Sequence, residues 1–163
     1  MTGDSPGTAD LSDRAAAPLV LCVDDDGAVL SSLRRTLRGE PYEVVTASSA
    51  AQALASLRKR PVDVVVSDEF MPGVPGCELL AEVRERWPDT GRVILTGHLE
   101  HAVMIRGYRA GADFLIHKPW DDESLRRAIR NLIGKTEHPR PDVPPPELPD
   151  PEFDLGGEGG IDS

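Results

Sequence analysis

The sequence predicts a doubly wound α/β domain built on a parallel sheet, and two observations carry that expectation. Short runs rich in β-branched residues alternate with segments whose apolar residues recur at helical spacing, the pattern of repeated βα units. The runs also end on residues with chemistry to do. Leu19-Val20-Leu21-Cys22-Val23 leads into Asp24-Asp25-Asp26, Val62-Asp63-Val64-Val65-Val66-Ser67 into Asp68, Arg92-Val93-Ile94-Leu95 into Thr96, and Phe114-Leu115-Ile116-His117 into Lys118-Pro119. If these runs are neighbouring parallel strands, their carboxyl ends gather acids, a hydroxyl and an ammonium into one pocket, where open α/β sheets bind ligands. Such a pocket suits a divalent cation and a phosphoryl group.

Each element has its own signal. The first helix places Leu30, Leu33 and Leu37 on one stripe and stops near Gly39, where the missing Cβ permits a left-handed cap. The second strand is read over residues 42–46. Ser49 followed by Gln52 makes a capping-box start for the second helix, with Ala53, Leu54 and Leu57 facing inward until Pro61 ends it. Leu79, Leu80, Val83 and Trp87 mark the third helix, closed by Pro88. The fourth, over residues 100–110, has a blurred apolar face formed by Val103, Met104, Ile105 and Tyr108. In the fifth, Leu125, Ala128, Ile129, Leu132 and Ile133 follow the i, i+3, i+4, i+7, i+8 pattern, and Asp121 is placed to cap the first turn.

Composition narrows the function classes. A chain of 163 residues with 39% hydrophobic content has room for one ordinary domain and its core. The net charge of −10 is concentrated at the ends: residues 1–17 carry one base and three acids, and residues 139–163 one base and seven acids. The segment between them holds sixteen bases against eighteen acids, so no basic stripe speaks for nucleic acid. Residues 1–17 have neither the basic start nor the apolar stretch of a signal peptide, and no apolar run approaches the roughly 20 residues that span a bilayer. A soluble cytoplasmic protein is expected, without membrane insertion. Cys22 and Cys77 are read as small buried apolar residues, since two distant cysteines make no disulfide scaffold. Residues 1–17 and 136–163 are read as disordered tails around a folded domain over residues 18–135. The second tail is acidic, with seven prolines between Pro139 and Pro151 and glycines beyond.

Four stretches in order resemble the receiver domains of two-component response regulators. They are Val23-Asp24-Asp25-Asp26, then Ser67-Asp68-Glu69-Phe70-Met71-Pro72 with Gly76-Cys77-Glu78-Leu79-Leu80, then Leu95-Thr96-Gly97-His98, and finally Gly111-Ala112-Asp113 leading to Lys118-Pro119. The resemblance implies a (βα)5 flavodoxin-like fold with strand order 2-1-3-4-5. It implies that Asp68 is the phosphoacceptor, that Asp25 and Asp68 bind Mg²⁺ (or Mn²⁺) directly with Asp24 acting through water, and that the backbone carbonyl of Phe70 completes the protein ligands. Lys118 would contact the acceptor and then the phosphoryl oxygens, Thr96 would hydrogen-bond the phosphoryl group, and the Lys118-Pro119 bond would be cis. Asp26 is read as a helix N-terminal residue rather than a ligand. Phe70 and His98 would line the path of water to the acyl phosphate, and Gly97 would leave the pocket open to a donor. The implied partners are a sensor histidine kinase or histidine phosphotransfer protein and a downstream protein target. The chain would not be an enzyme beyond accepting and losing its own phosphoryl group.

One departure from the pattern bears on signalling. Receivers usually hold an aromatic three positions before the lysine, and here that residue is Leu115; Phe114, one position earlier, should point to the opposite face of the strand. Trp120 is read either as part of an output surface or as packing against the fifth helix. Two other readings stand beside the main one. A receiver-like module that binds protein without phosphorylation is favoured by Leu115. A Mg²⁺-dependent phosphohydrolase with an Asp nucleophile would need a DxDx[TV] motif, and Ala28 occupies its last position after Asp24-Asp25-Asp26.

Overall fold

Strand and helix alternate through the described residues, 17–97 and 100–137, of the computed structural model. The order is β1 (Leu19–Val23), α1 (Gly27–Thr36), β2 (Glu43–Ala47), α2 (Ala50–Lys59), β3 (Val64–Asp68), α3 (Gly76–Arg86), β4 (Gly91–Thr96), α4 (His101–Arg109), β5 (Phe114–His117) and α5 (Asp122–Glu137). All four strand pairings are parallel and the sheet runs β2-β1-β3-β4-β5, as the resemblance implied. The helix α5 extends two residues past the expected start of the C-terminal tail. The rest of both expected tails lies outside the described residues.

Strand alternation divides the core into two layers. Leu19, Leu21, Val23, Val65 and Ile94 meet Ala53 and Leu57 of α2 and Leu79, Leu80 and Val83 of α3 on one side of the sheet. On the other, Val20, Cys22, Val64, Val66, Val93 and Leu95 meet Leu33 of α1 and Leu125, Ile129 and Leu132 of α5. Each fully buried aliphatic side chain contributes about 1.5–3 kcal/mol, so these two layers supply the main force that holds the helices to the sheet. Both thiols lie buried and free, as expected.

The chain leaves β1 toward β2 on one side and returns to β3 on the other. That reversal opens a crevice above the carboxyl ends of β1 and β3. Helix caps fix the loops around it. Asp26 accepts the Ala28 N–H at 2.9 Å to start α1, Ser49 accepts the Gln52 N–H at 3.1 Å to start α2, and Asp121 accepts the Ser124 N–H at 2.9 Å to start α5. The expected capping box is displaced: the Gln52 carbonyl accepts from the backbone N–H of Ser48, at 2.8 Å, one residue before the cap. Strand β2 begins one residue later than expected. Strand β3 begins at Val64, two residues later than the apolar run, and the Asp63 carboxylate just before it accepts the Leu19 N–H at 2.7 Å. Trp120 packs on the α1/α5 layer and donates its indole N–H to the Thr36 hydroxyl at 3.0 Å.

Candidate functional site

Asp24 follows β1 directly and is held by its neighbours: its N–H donates to the Ala47 carbonyl at 3.1 Å, and its Oδ1 accepts the Asp26 N–H at 2.9 Å. Asp25 stands between them, exposed. On the adjacent strand Asp68 is the last residue of β3, where a hydrogen-bonded ladder fixes its backbone opposite Leu95. One carboxylate oxygen from each of Asp24, Asp25 and Asp68 lies within 4.8 Å of the other two.

Lys118 reaches this cluster from the end of β5. Its Nζ lies 2.8 Å from Asp68 Oδ1 and 3.2 Å from Asp24 Oδ2. Its backbone N–H donates to the Thr96 carbonyl at 2.8 Å, and the peptide bond to Pro119 is cis. Thr96 ends β4, fully buried.

The electrostatics are those of a crowded anionic site. Burial raises the Asp24 carboxyl above its ordinary value; the hydrogen bond from the Asp26 N–H opposes that, the Asp68 carboxylate adds to it, and Lys118 also opposes it. For Lys118 burial favours the neutral amine, but the hydrogen bond and charge of Asp68, together with Asp24, outweigh it and hold the ammonium above its usual value. Three carboxylates and one ammonium leave two negative charges in excess when all are ionised. A single divalent cation matches that excess, and an all-oxygen donor set suits a small hard ion.

Phe70 lies on the loop after β3 and is half exposed. Gly97 follows Thr96 in an exposed turn with open space where a Cβ would stand. His98 lies outside the described residues. Phe114 and Leu115 take no part in the cluster and pack on opposite faces of β5: Phe114 joins the α1/α5 layer and Leu115 the other. Thus Phe114 does not replace the missing aromatic. Leu115 instead fills the space beside Gly107, where an added Cβ would come within 3.1 Å of its Cδ1. Asp26 serves as the α1 cap.

Two residues of this region escaped the sequence reading of the site. Gly76 lies so close to the Asp68 carbonyl that a Cβ there would collide with it; its place in the quoted motif was the available signal. Glu69, immediately after Asp68, is buried at 2% exposure with a partner on α4. No local pattern marks such a residue, because glutamate is ordinarily exposed.

Residues 20–130 match the family model of the response regulator receiver domain. The chain belongs to that family. The receiver is 41% identical over 124 residues to the hydrogenase transcriptional regulatory protein HoxA of Cupriavidus necator, an alignment covering 76% of this chain and 25% of that protein. It is 35% identical to the transcriptional regulatory protein AruR of Pseudomonas aeruginosa, over 76% of this chain and 52% of the relative. The chain therefore spans from a quarter to about half the length of these curated relatives. Among solved structures, the signal receiver domain of an HD domain-containing protein from Pseudomonas fluorescens Pf-5 superposes with a TM-score of 0.74 at 32% identity, covering 79% of this receiver and 96% of that chain. A CheY-like receiver domain protein from Methanospirillum hungatei JF-1 gives 0.70 at 30% identity, over 75% and 98%. Among the described residues, no helix is long and apolar enough to cross a membrane.

Proposed function

We propose that this receiver accepts a phosphoryl group on Asp68 from a phosphohistidine of a sensor histidine kinase or histidine phosphotransfer protein, and that it signals through protein contacts. The observation that supports this best is the single ammonium of Lys118 bridging Asp68 and Asp24 beside Asp25. Asp25 and Asp68 would hold Mg²⁺ (or Mn²⁺) directly, Asp24 through water, and the Phe70 carbonyl would complete the protein's share. Bound there, the ion cancels the repulsion between the carboxylate nucleophile and the anionic phosphoryl group.

A carboxylate oxygen of Asp68 forms the new bond to phosphorus while the phosphorus–nitrogen bond of the donor breaks. The electron pair of that bond leaves with the imidazole, which takes up a proton. Lys118 keeps its charge through the transfer and faces the oxygens of the incoming group, and the Thr96 hydroxyl donates to one of them. The protein performs this on itself and is no turnover enzyme. The signal then passes to a downstream protein over the β4-α4-β5-α5 face. The near balance of charge over residues 18–138 argues against nucleic acid as a contact of this domain. The setting is cytoplasmic, where such kinases present their phosphohistidine.

Incubation with acetyl phosphate and Mg²⁺, read by intact mass, tests the reading. Wild-type protein should gain one phosphoryl group, and neither Asp68→Asn nor chelator-treated wild type should gain any. An unlabelled wild type, or an Asp68→Asn variant labelled equally, would remove it and leave the phosphorylation-independent binding module.

A further inference from the structure

Glu69 shares a peptide unit with Asp68, yet faces the other side of the sheet. Its backbone is pinned at both polar atoms: the N–H donates to the Leu95 carbonyl of β4 at 3.1 Å, and the carbonyl accepts the Gly76 N–H at the start of α3 at 2.9 Å. Its carboxylate has two partners on different helices. Oε1 accepts the Cys77 N–H in the first turn of α3 at 3.0 Å, where the helix dipole favours an anion. Oε2 lies 3.5 Å from Arg106 Nε on α4.

The two ends of that ion pair are unequal. The Glu69 side chain is 2% exposed and that of Arg106 50%. A charge buried to that degree is costly unless it keeps its partners, whereas a half-exposed guanidinium gives one up to water cheaply. The pairs Arg60–Glu43 and Arg86–Glu82 have both members exposed to a substantial degree and lack this asymmetry. The planar peptide between Asp68 and Glu69 ties their backbones together, and the hydrogen bonds at both Glu69 polar atoms limit its movement independent of Asp68. At Gly76 the start of α3 approaches the Asp68 carbonyl so closely that an added Cβ would collide with it. Arg106, half exposed, is the more yielding end of the ion pair. The next residue of α4, Gly107, rests on Leu115 of β5, so this helix is held to the sheet on one side and to the acceptor loop on the other.

We propose that Glu69 is a positioning residue that couples occupancy of the Asp24–Asp25–Asp68 pocket to helix α4 through Arg106. The coupling rests on the acidic pocket of the proposed function and adds a route that needs no aromatic at position 115. It also assigns a role to an acidic residue beside the acceptor that the phosphoryl chemistry itself does not use.

Amide hydrogen exchange of the segment His101–Arg109, in the full chain without ligand, with Mg²⁺, and with Mg²⁺ plus acetyl phosphate, tests it. In wild type, exchange in this segment should change on adding Mg²⁺ and change further with acetyl phosphate. Arg106→Gln should lose most of that ligand-dependent difference while still labelling at Asp68 to the wild-type extent, and Arg106→Lys should retain it. Glu69→Gln should lose it as well, and the double variant should lose no more than either single one. Arg86→Gln, which breaks an exposed pair, should respond as wild type. An Arg106→Gln response equal to wild type, or a wild-type α4 unmoved by Mg²⁺, would overturn the coupling. Mass labelling of the same samples separates the two proposals: an unlabelled wild type refutes phosphoryl acceptance, and the coupling is then decided by the Mg²⁺ arm alone.

Discussion

At Asp24 burial outweighs the hydrogen bond from the Asp26 N–H, the Asp68 carboxylate adds to burial, and Lys118 opposes both. Replacing Lys118 with Met leaves a buried carboxylate beside Asp68 without its cation. Phosphoryl acceptance from acetyl phosphate should then slow by about 100-fold, the loss typical of removing one donor aimed at developing charge, as measured by the rate of mass labelling. Phe70 is half exposed on the loop after β3, and the role proposed for it is to hinder the approach of water to an acyl phosphate on Asp68. Phe70→Asn should shorten the phosphate half-life; an equal or longer half-life would contradict that role. The thiols give a pH prediction of definite sign. Burial pushes Cys22 and Cys77 from 9.0 up to about 12, so the folded chain keeps protons that the unfolded chain releases. Their contribution is complete below pH 9 and declines as pH rises toward 12, by about 1.4 kcal/mol per pH unit for each thiol. Urea midpoints between pH 9 and 11 should therefore fall more steeply for wild type than for the Cys22→Ala/Cys77→Ala variant.

Among the elements, the turn from β3 to α3 is the least tolerant. A methyl at Gly76 would collide with the Asp68 carbonyl, a backbone atom that cannot step aside cheaply. Gly76→Ala should cost about 1–3 kcal/mol in urea unfolding and slow labelling of Asp68, because the same displacement moves the Asp68 backbone. The strands and helices were legible in the sequence to within one to three residues, since buried β-branched runs and the Leu125-to-Ile133 stripe leave little choice of face. The opposite facing of Phe114 and Leu115 was legible for the same reason: alternation is a geometric property of a strand. What could not be read was the reach of polar side chains across elements. Asp63 bonds to Leu19 and Arg126 to Thr36, contacts that depend on the placement of separate segments and leave no periodic trace.

For the whole molecule, the sheet order explains why residues distant in sequence meet. Asp24 and Asp68 end neighbouring strands at the crevice, so the cluster could be inferred once the parallel sheet was granted. Glu69 and Arg106 could not, because nothing in the sequence says which of the many acids is buried. A second tie joins the ends of the fold. The Thr36 hydroxyl accepts from Trp120 and donates to Asp122 at 2.9 Å, while the Thr36 carbonyl accepts from Arg126 at 2.8 Å. Thr36→Val keeps the shape and leaves the indole and Asp122 without that partner. It should lower stability by about 1–3 kcal/mol in chemical denaturation.

That tie gives Trp120 an optical consequence. The chain has two tryptophans, and Trp87 caps the far end of α3, away from the carboxylates. Trp120 stands two residues from Lys118 with its ring fixed between helices, so any rearrangement of the lysine loop alters the surroundings of one chromophore and spares the other. Steady-state emission should therefore change when Mg²⁺ is added, and Trp87→Phe should retain that change.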